Sequence, residues 1–591
     1  MFPIAPTRGL PLPVEEITDM GVLMGKAIAP GLANGRAVVL SDCIPAEVSL
    51  RPVDTDAEVL RLRRAFQSAK ADLEALQTHV HQEFGASEAE IFAAHQLILD
   101  DPALLDDIVE RLNSDDLRAE DAIAASVQDY AARMSQADDP YLRERELDIR
   151  DIGNRLVRHA AGNPSSRFSA LEDNSIIVGE ELLPSDLVEL DSEKLAGVVT
   201  QRCGETSHVA ILARALGIPA LTGIANRDES LSTGQHLLLD GYTGKLVVEP
   251  TPPQLHEFEQ KQSRFNAYRA AQKVDEHLPC QTKDGVEILL MANLARPNEA
   301  ELSASSNLAA IGLLRTEFLF LDHSDPPTVD EQVDLYVKVA SRMPGRDICI
   351  RTLDLGGDKF PLFLRHTPEA NPTLGIRGLR FSLGAGLPMF KTQVEALLRV
   401  SADHCVKILL PMVLGVDDFL AAKDIIQQVA LELNLTVPPI GVLIETPAAV
   451  LLIDDILDHA DFVNLGTNDL TQFVLASDRN ALDTEDDYSV LHPAVLRAIK
   501  TVCSAARARN KPVTVCGEAA GNPEIAALLV GLGIRRLSMS PSLCVPVKYV
   551  LRSHRLDALE AMAAKAIEAR SINRVREIVH AAGMGGALPE F

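Results

Sequence analysis

The chain has 591 residues, 47 % hydrophobic and 24 % charged, an ordinary globular composition with room for about three or four domains. Its 84 acidic against 56 basic residues give a formal net charge of −28, which leaves a nucleic-acid-binding role without an electrostatic footprint and suits either a basic protein partner or simply a well-solvated surface. The eight cysteines stand singly, with neither disulfide-framework nor zinc-site spacing, and no apolar run reaches a membrane span, so a cytoplasmic protein without signal peptide or membrane insertion is expected.

In chain order, the proline-rich residues 1–20 read as a flexible N-terminal arm. Met24 to Leu40 is glycine-punctuated and strand-like, part of an α/β domain expected over 21–50 and 165–250. Between Asp54 and Phe84 there is neither Gly nor Pro, and Val59, Leu62, Phe66, Ala69, Leu73 and Leu76 alternate spacings of three and four, the stripe of an amphipathic helix. Ile91 to Leu99, Ala103 to Leu112, Asp121 to Met134 and Tyr141 to His159 repeat that pattern, so 51–164 is predicted to be an α-helical insert. The α/β domain resumes with strands at Ile176–Val178, Leu195–Val199, Leu237–Gly241 and Lys245–Val248. A linker helix is expected within 251–280. From 281 to 591, eight short apolar strands end in polar residues and alternate with helical stretches: Glu287–Asn293, Ala310–Glu317, Ile348–Asp354, Lys407–Met412, Ile440–Glu445, Phe462–Asp469, Val513–Glu518 and Arg536–Ser540. That is the arithmetic of a (β/α)₈ TIM barrel, whose active site lies where the strands end.

Two places carry chemistry. After the strand at Leu195–Val199, Thr206 and Ser207 are N-cap residues and Gly217 with Pro219 is a helix stop, so His208 falls in the first turn of a helix. Unpaired N–H groups and the helix dipole favour an anion there, phosphate above all; a histidine merely decorating a helix start is the alternative. The second place is the ring of strand ends. Arg315, Arg351, Lys359 and Arg479 suit a small, highly charged phosphate ester, and Glu445 with Asp469 suits Mg²⁺, a hard ion that takes few protein ligands. Cys516 at another strand end is a candidate acid, or simply a buried small side chain.

The run Cys203-Gly204-Glu205-Thr206-Ser207-His208, continued to Gly217-Ile218-Pro219, resembles the phosphohistidine signature of the phosphoenolpyruvate-utilising enzymes. Gly312–Phe320, Arg351–Lys359, Asn371–Arg377, Glu445–Ala449 and Gly466–Gln472 resemble the barrel of the enzyme I family of the bacterial sugar phosphotransferase system. The similarity runs from about Gly25 through the barrel and includes Tyr141–Arg145 and Asp148–Gly153. The resemblance implies a phosphoenolpyruvate-protein phosphotransferase in which His208 takes the phosphoryl group and passes it to the histidine-containing carrier HPr, docked on the helical insert. It implies that Arg315, Arg351 and Arg479 bind phosphoenolpyruvate, that Lys359 and Arg377 support them, and that Asn468 and Asp469 also touch it. It further implies Mg²⁺ on Glu445 and Asp469, Cys516 protonating the enolate at carbon, a swivelling histidine domain, and a homodimer formed through the barrel. Cys203 stands where the family has glycine, and Leu183 and Leu187 where it usually has threonine. Three alternatives remain open on the sequence: a nitrogen-branch enzyme I without its sensory domain, a phosphoenolpyruvate synthase or pyruvate phosphate dikinase relative, and a catalytically silent scaffold. The second would need a nucleotide-binding domain, and the chain has no P-loop.

Overall fold

The computed structural model describes residues 21–40, 54–83, 92, 95–115, 117–135, 140–162, 171–180, 182, 186, 194–201, 213, 217–224, 231–294, 300, 303, 308–321, 325–356, 361, 363–364, 371–478 and 489–583. Two compact units divide the chain, Met1–Gln262 and Ser263–Phe591.

The first unit holds an eight-stranded sheet made of β1 (Val22–Met24), β2 (Lys26–Ala29), β3 (Leu32–Val39), β4 (Ser175–Gly179), β5 (Leu195–Thr200), β6 (Ala220–Thr222), β7 (His236–Asp240) and β8 (Lys245–Val248). Its order is β1-β8-β7-β3-β4-β5-β6-β2, parallel from β3 through β6 and antiparallel toward both edges. Side chains alternate across a strand, so Ile177 enters one buried cluster with Val198 and Ala220 while Ile176 and Val178 enter another with Leu237 and Leu239. Both faces are covered, and the unbroken apolar run of β4 is the sequence form of that burial. The sequence reading passed over β6, whose three residues are too few to show a period.

Between β3 and β4 the chain forms helices Thr55–Glu83, Pro102–Asp115, Ala119–Ser135 and Pro140–Ala160. Leu62, Ala69 and Leu73 of the expected stripe are fully buried, with Val59, Phe66 and Leu76 packed at the edge of the same core. Helix Pro252–Asp275 follows β8. Its Lys261 pairs with Asp240, whose carboxylate also accepts the N–H groups of Tyr242 (3.0 Å) and Thr243 (3.2 Å) in the β7–β8 turn.

The second unit is a closed barrel of eight parallel strands: β9 (Leu289–Leu294), β10 (Ile311–Leu314), β11 (Ile348–Arg351), β12 (Val406–Leu410), β13 (Ile440–Ile444), β14 (Phe462–Leu465), β15 (Val513–Val515) and β16 (Arg536–Met539). β9 closes the ring by pairing with both β10 and β16. Each predicted strand is found, and most stop at the last apolar residue, so the polar residues that follow form the rim. The expected fold class, an α/β sheet domain with a helical insert followed by a (β/α)₈ barrel, is the one observed. The arm at 1–20 lies outside the described residues.

Candidate active site

The C-terminal ends of β10, β11, β13, β14 and β15 bring together six of the residues singled out in the sequence: Arg315, Arg351, Glu445, Asn468, Asp469 and Cys516. Arg377, on the segment that follows β11, joins them. The framework beneath is polar and buried. Thr316 Oγ1 donates to Arg351 O at 3.0 Å, and Gln393, from helix Leu387–Ser401, donates to Thr316 Oγ1 at 3.1 Å and accepts from Leu353 N at 2.8 Å. Two strand ends are thereby locked to the outer helix layer, which fixes the base of Arg351.

Arg351 is itself buried. Its Nη2 pairs with Glu317 Oε1 at 2.9 Å, its Nη1 with Asp354 Oδ2 at 3.2 Å, and Glu445 Oε1 lies 3.9 Å away. Its Nε is a buried donor with no partner among the described residues. Arg377 forks onto two carboxylates, with Nε and Nη2 on Asp354 at 3.1 and 3.0 Å, and Nη1 and Nη2 on Asp469 at 2.8 and 3.2 Å. Burial opposes the charge on both arginines, but the surrounding carboxylates outweigh it and hold both above the ordinary guanidinium value. These cations are permanent and pre-aimed.

Glu445 shows the opposite strain. Burial, then Asp469 and Asp354, push its carboxyl up to about 8, against the pull of Arg351 and Arg377. Its Oε2 accepts from Met412 N at 3.0 Å, and its other face lies on Gly466, where a Cβ would stand 2.6 Å from Glu445 Cγ. Only glycine lets β14 pass that close. Asn468 Oδ1 accepts from Glu518 N at 3.2 Å, joining the β14 and β15 loops. Cys516 is buried; burial and then Glu445 push its thiol up to about 12, while Arg351, Arg315 and Asn464 pull the other way.

His208, Lys359 and Arg479, with Cys203, Leu183 and Leu187, lie outside the described residues. Of the expected helix stop after His208, Gly217 has φ +67° and Ile218 N–H donates to Ala213 O at 2.9 Å, the geometry that ends a helix. Sequence reasoning gave no role to Glu317 and Asp354, the carboxylates that orient the two arginines. Their signal was an acid close to an arginine at two strand ends, Arg315-Thr316-Glu317 and Arg351-Thr352-Leu353-Asp354.

Three family models match in chain order: PEP-utilising enzyme, N-terminal, over residues 24–145; PEP-utilising enzyme, mobile domain, over 171–244; and PEP-utilising enzyme, PEP-binding domain, over 269–556. The phosphoenolpyruvate-protein phosphotransferase of Geobacillus stearothermophilus is 36 % identical over 534 residues, covering 89 % of this chain and 92 % of that protein. That of Bacillus subtilis (strain 168) is 35 % identical over 537 residues, with 90 % and 94 % covered. That of Mycoplasma capricolum is 33 % identical over 564, with 94 % and 98 % covered.

The chain belongs to the phosphoenolpyruvate-protein phosphotransferases.

For a phosphotransferase, the charge balance of this rim is informative. Among the described residues, Arg351 and Arg377 lie against Glu317, Asp354, Glu445 and Asp469, so these two cations are already matched by carboxylates. Burial and the neighbouring Asp469 and Asp354 raise the proton affinity of Glu445, so its charged form is disfavoured there. A pair of carboxylates there fits Mg²⁺, which draws its other ligands from water and substrate oxygens.

Proposed function

We propose that this protein transfers the phosphoryl group of phosphoenolpyruvate to its own His208 and then to a histidine of the small carrier HPr, the first step of phosphotransferase-system sugar uptake. The observation that carries the reading is the barrel rim: a buried Arg351 and a partly buried Arg377, each ion-paired to two carboxylates and so already aimed, in a chain collinear with phosphoenolpyruvate-protein phosphotransferases. Phosphoryl transfer asks for in-line positioning and neutralisation of spread negative charge, and pre-organised guanidinium groups supply both without reorganising. In this reading Arg315, Arg351 and Arg479 grip the phosphate and carboxylate of the substrate, Lys359 and Arg377 support them, and Asn468 and Asp469 close the far side. The Nε of Arg351, a buried donor without a partner among the described residues, is in this reading satisfied by a substrate oxygen. Glu445 and Asp469 would hold Mg²⁺, which when bound adds charge neutralisation at the substrate's oxygens. Cys516 gives a proton to the methylene carbon of the departing enolate.

The acidic helical insert receives the basic carrier, helix Pro252–Asp275 acts as the hinge between histidine domain and barrel, and the barrel pairs the chain into a homodimer. The protein works in the cytoplasm; among the described residues no helix is long and apolar enough to cross a membrane. The deciding experiment is incubation with labelled phosphoenolpyruvate, Mg²⁺ and candidate carriers. Acid-labile, alkali-stable label is expected on His208 alone, without ATP, and to move to a carrier. Label on a His208→Ala variant, or dependence on ATP, overturns the reading.

A further inference from the structure

We infer that Asn293, oriented by Ser538, is the positioning residue that holds Cys516 so that its thiol protonates one face of the enolate; the inference rests on the reading of Cys516 as the acid. Cys516 directly follows the three-residue β15 and is restrained at each polar atom. Its N–H donates to Leu465 O at 3.1 Å, and its Sγ lies 3.5 Å from the same carbonyl. Its own carbonyl accepts from Asn293 Nδ2 at 2.8 Å. A carbonyl can only accept, so Asn293 turns its NH₂ toward Cys516, and its Oδ1 faces the other way. There the Ser538 hydroxyl donates at 2.6 Å. Ser538 is fully buried on β16 and Asn293 is half-buried on β9, so a side chain anchored to two further strands grips the loop after β15.

The neighbours leave the loop little room. A Cβ at Gly517 would stand 1.8 Å from Thr467 Oγ1, so the residue after Cys516 lies hard against the β14 loop. Beneath, the thiol packs with Leu313, Cys349, Leu443 and Phe462. The Asn464 amide, bonded to Gly312 O at 3.0 Å and 3.8 Å from Cys349 Sγ, closes the floor.

The chemistry explains why such restraint matters. The Cys516 S–H bond breaks and a C–H bond forms at the methylene carbon of enolpyruvate. The enolate electron pair becomes that bond as the oxygen closes to a ketone, and sulfur keeps the S–H pair as thiolate until water reprotonates it. A reacting pair must meet at about 3–3.5 Å, and a misplacement of about 1 Å costs roughly a hundredfold in rate. A free enolpyruvate, protonated by water, takes its proton on either face.

The test is turnover of phosphoenolpyruvate carrying one deuterium at a defined methylene position, in tritiated water, with the chirality of the pyruvate methyl group as readout. The wild-type protein is expected to give one enantiomer and Cys516→Ala a racemate. Asn293→Ala should lose chirality and lower kcat about ten- to a hundredfold with KM nearly unchanged. Asn293→Asp sets an oxygen against the Cys516 carbonyl and should be slower still, while Ser538→Ala should shift both readouts in the same direction by less. A chirally pure methyl group from both Asn293→Ala and Ser538→Ala overturns the proposal even if kcat falls; if Asn293→Ala does not fold, Ser538→Ala decides alone. A chirally pure product from Cys516→Ala places the acid elsewhere and overturns the proposal together with the reading beneath it.

Discussion

At the scale of single residues, Arg351 and Arg377 are each held at the rim by two carboxylates. Arg351 is the clearest case, buried and bonded to Glu317 and Asp354 at once. Removing it would unbalance two buried carboxylates and, on the proposed reading, remove a donor to the substrate. Arg351→Ala is therefore expected to lower the rate of His208 phosphorylation by phosphoenolpyruvate by about a hundred- to a thousandfold. Exchange of phosphate between His208 and the phosphorylated carrier should persist, and a rapid-quench assay of the two half-reactions separates them. Loss of both would mean that the substitution acts through the fold. Glu445 is expected to behave in the reverse sense. Burial and the nearby Asp469 and Asp354 disfavour its charge, so Glu445→Gln should raise the melting temperature of the metal-free protein while abolishing phosphorylation by phosphoenolpyruvate. Calorimetry with and without Mg²⁺ checks this: the wild-type midpoint should rise with the metal and that of the variant should not.

At the scale of elements, the β7–β8 turn and the helix after it share one carboxylate. Burial alone would raise the Asp240 carboxyl, but hydrogen bonds from Lys261, Thr243 and the Tyr242 N–H outweigh it and hold it below its ordinary value. The sign for stability follows from linkage. A carboxyl depressed in the folded state contributes fully above its unfolded value of about 3.9 and loses that contribution as pH falls through the folded value. Asp240→Asn should therefore cost about 1 kcal/mol above roughly pH 5, after allowance for solvent screening of a partly exposed pair, and progressively less in acid. Melting curves of the two proteins between neutral and acid pH should converge; parallel curves would deny the ion pair a role.

At the scale of the whole molecule, the division at Gln262 and Ser263 falls inside a single helix, Pro252–Asp275. Each unit has a hydrophobic core of its own, so each can unfold as its own cooperative block. Scanning calorimetry is expected to resolve two transitions. Phosphoenolpyruvate with Mg²⁺ should raise only the barrel's, by about 2.7 kcal/mol of stabilisation at a hundred times the dissociation constant. An equal shift of both transitions would show that the units unfold as one.

Much of this architecture was written in local pattern. The three-and-four spacing from Val59 to Leu76 requires a helix with one buried face, because only a 3.6-residue turn brings those side chains together. Eight apolar runs, most of them ending in polar or charged residues, announce a barrel, because strands buried on both sides must be apolar until they reach the rim. The strand β6 escaped because three residues carry no period. Helix or strand, core face or rim, and the residue types gathered at the rim were thus determined by the sequence itself, since each depends on neighbours a few positions away. Pairing between distant residues was decided only by the tertiary structure. Nothing in the order of residues says that Arg377 forks onto both Asp354 and Asp469, that Gly466 is the floor beneath Glu445, or that Asn293 grips the carbonyl of a cysteine 223 positions later. Such contacts arise because barrel closure sets β9 beside β16 and so brings the first strand's Asn293 to the loop after β15, and directional hydrogen bonds then select among the neighbours that closure supplies.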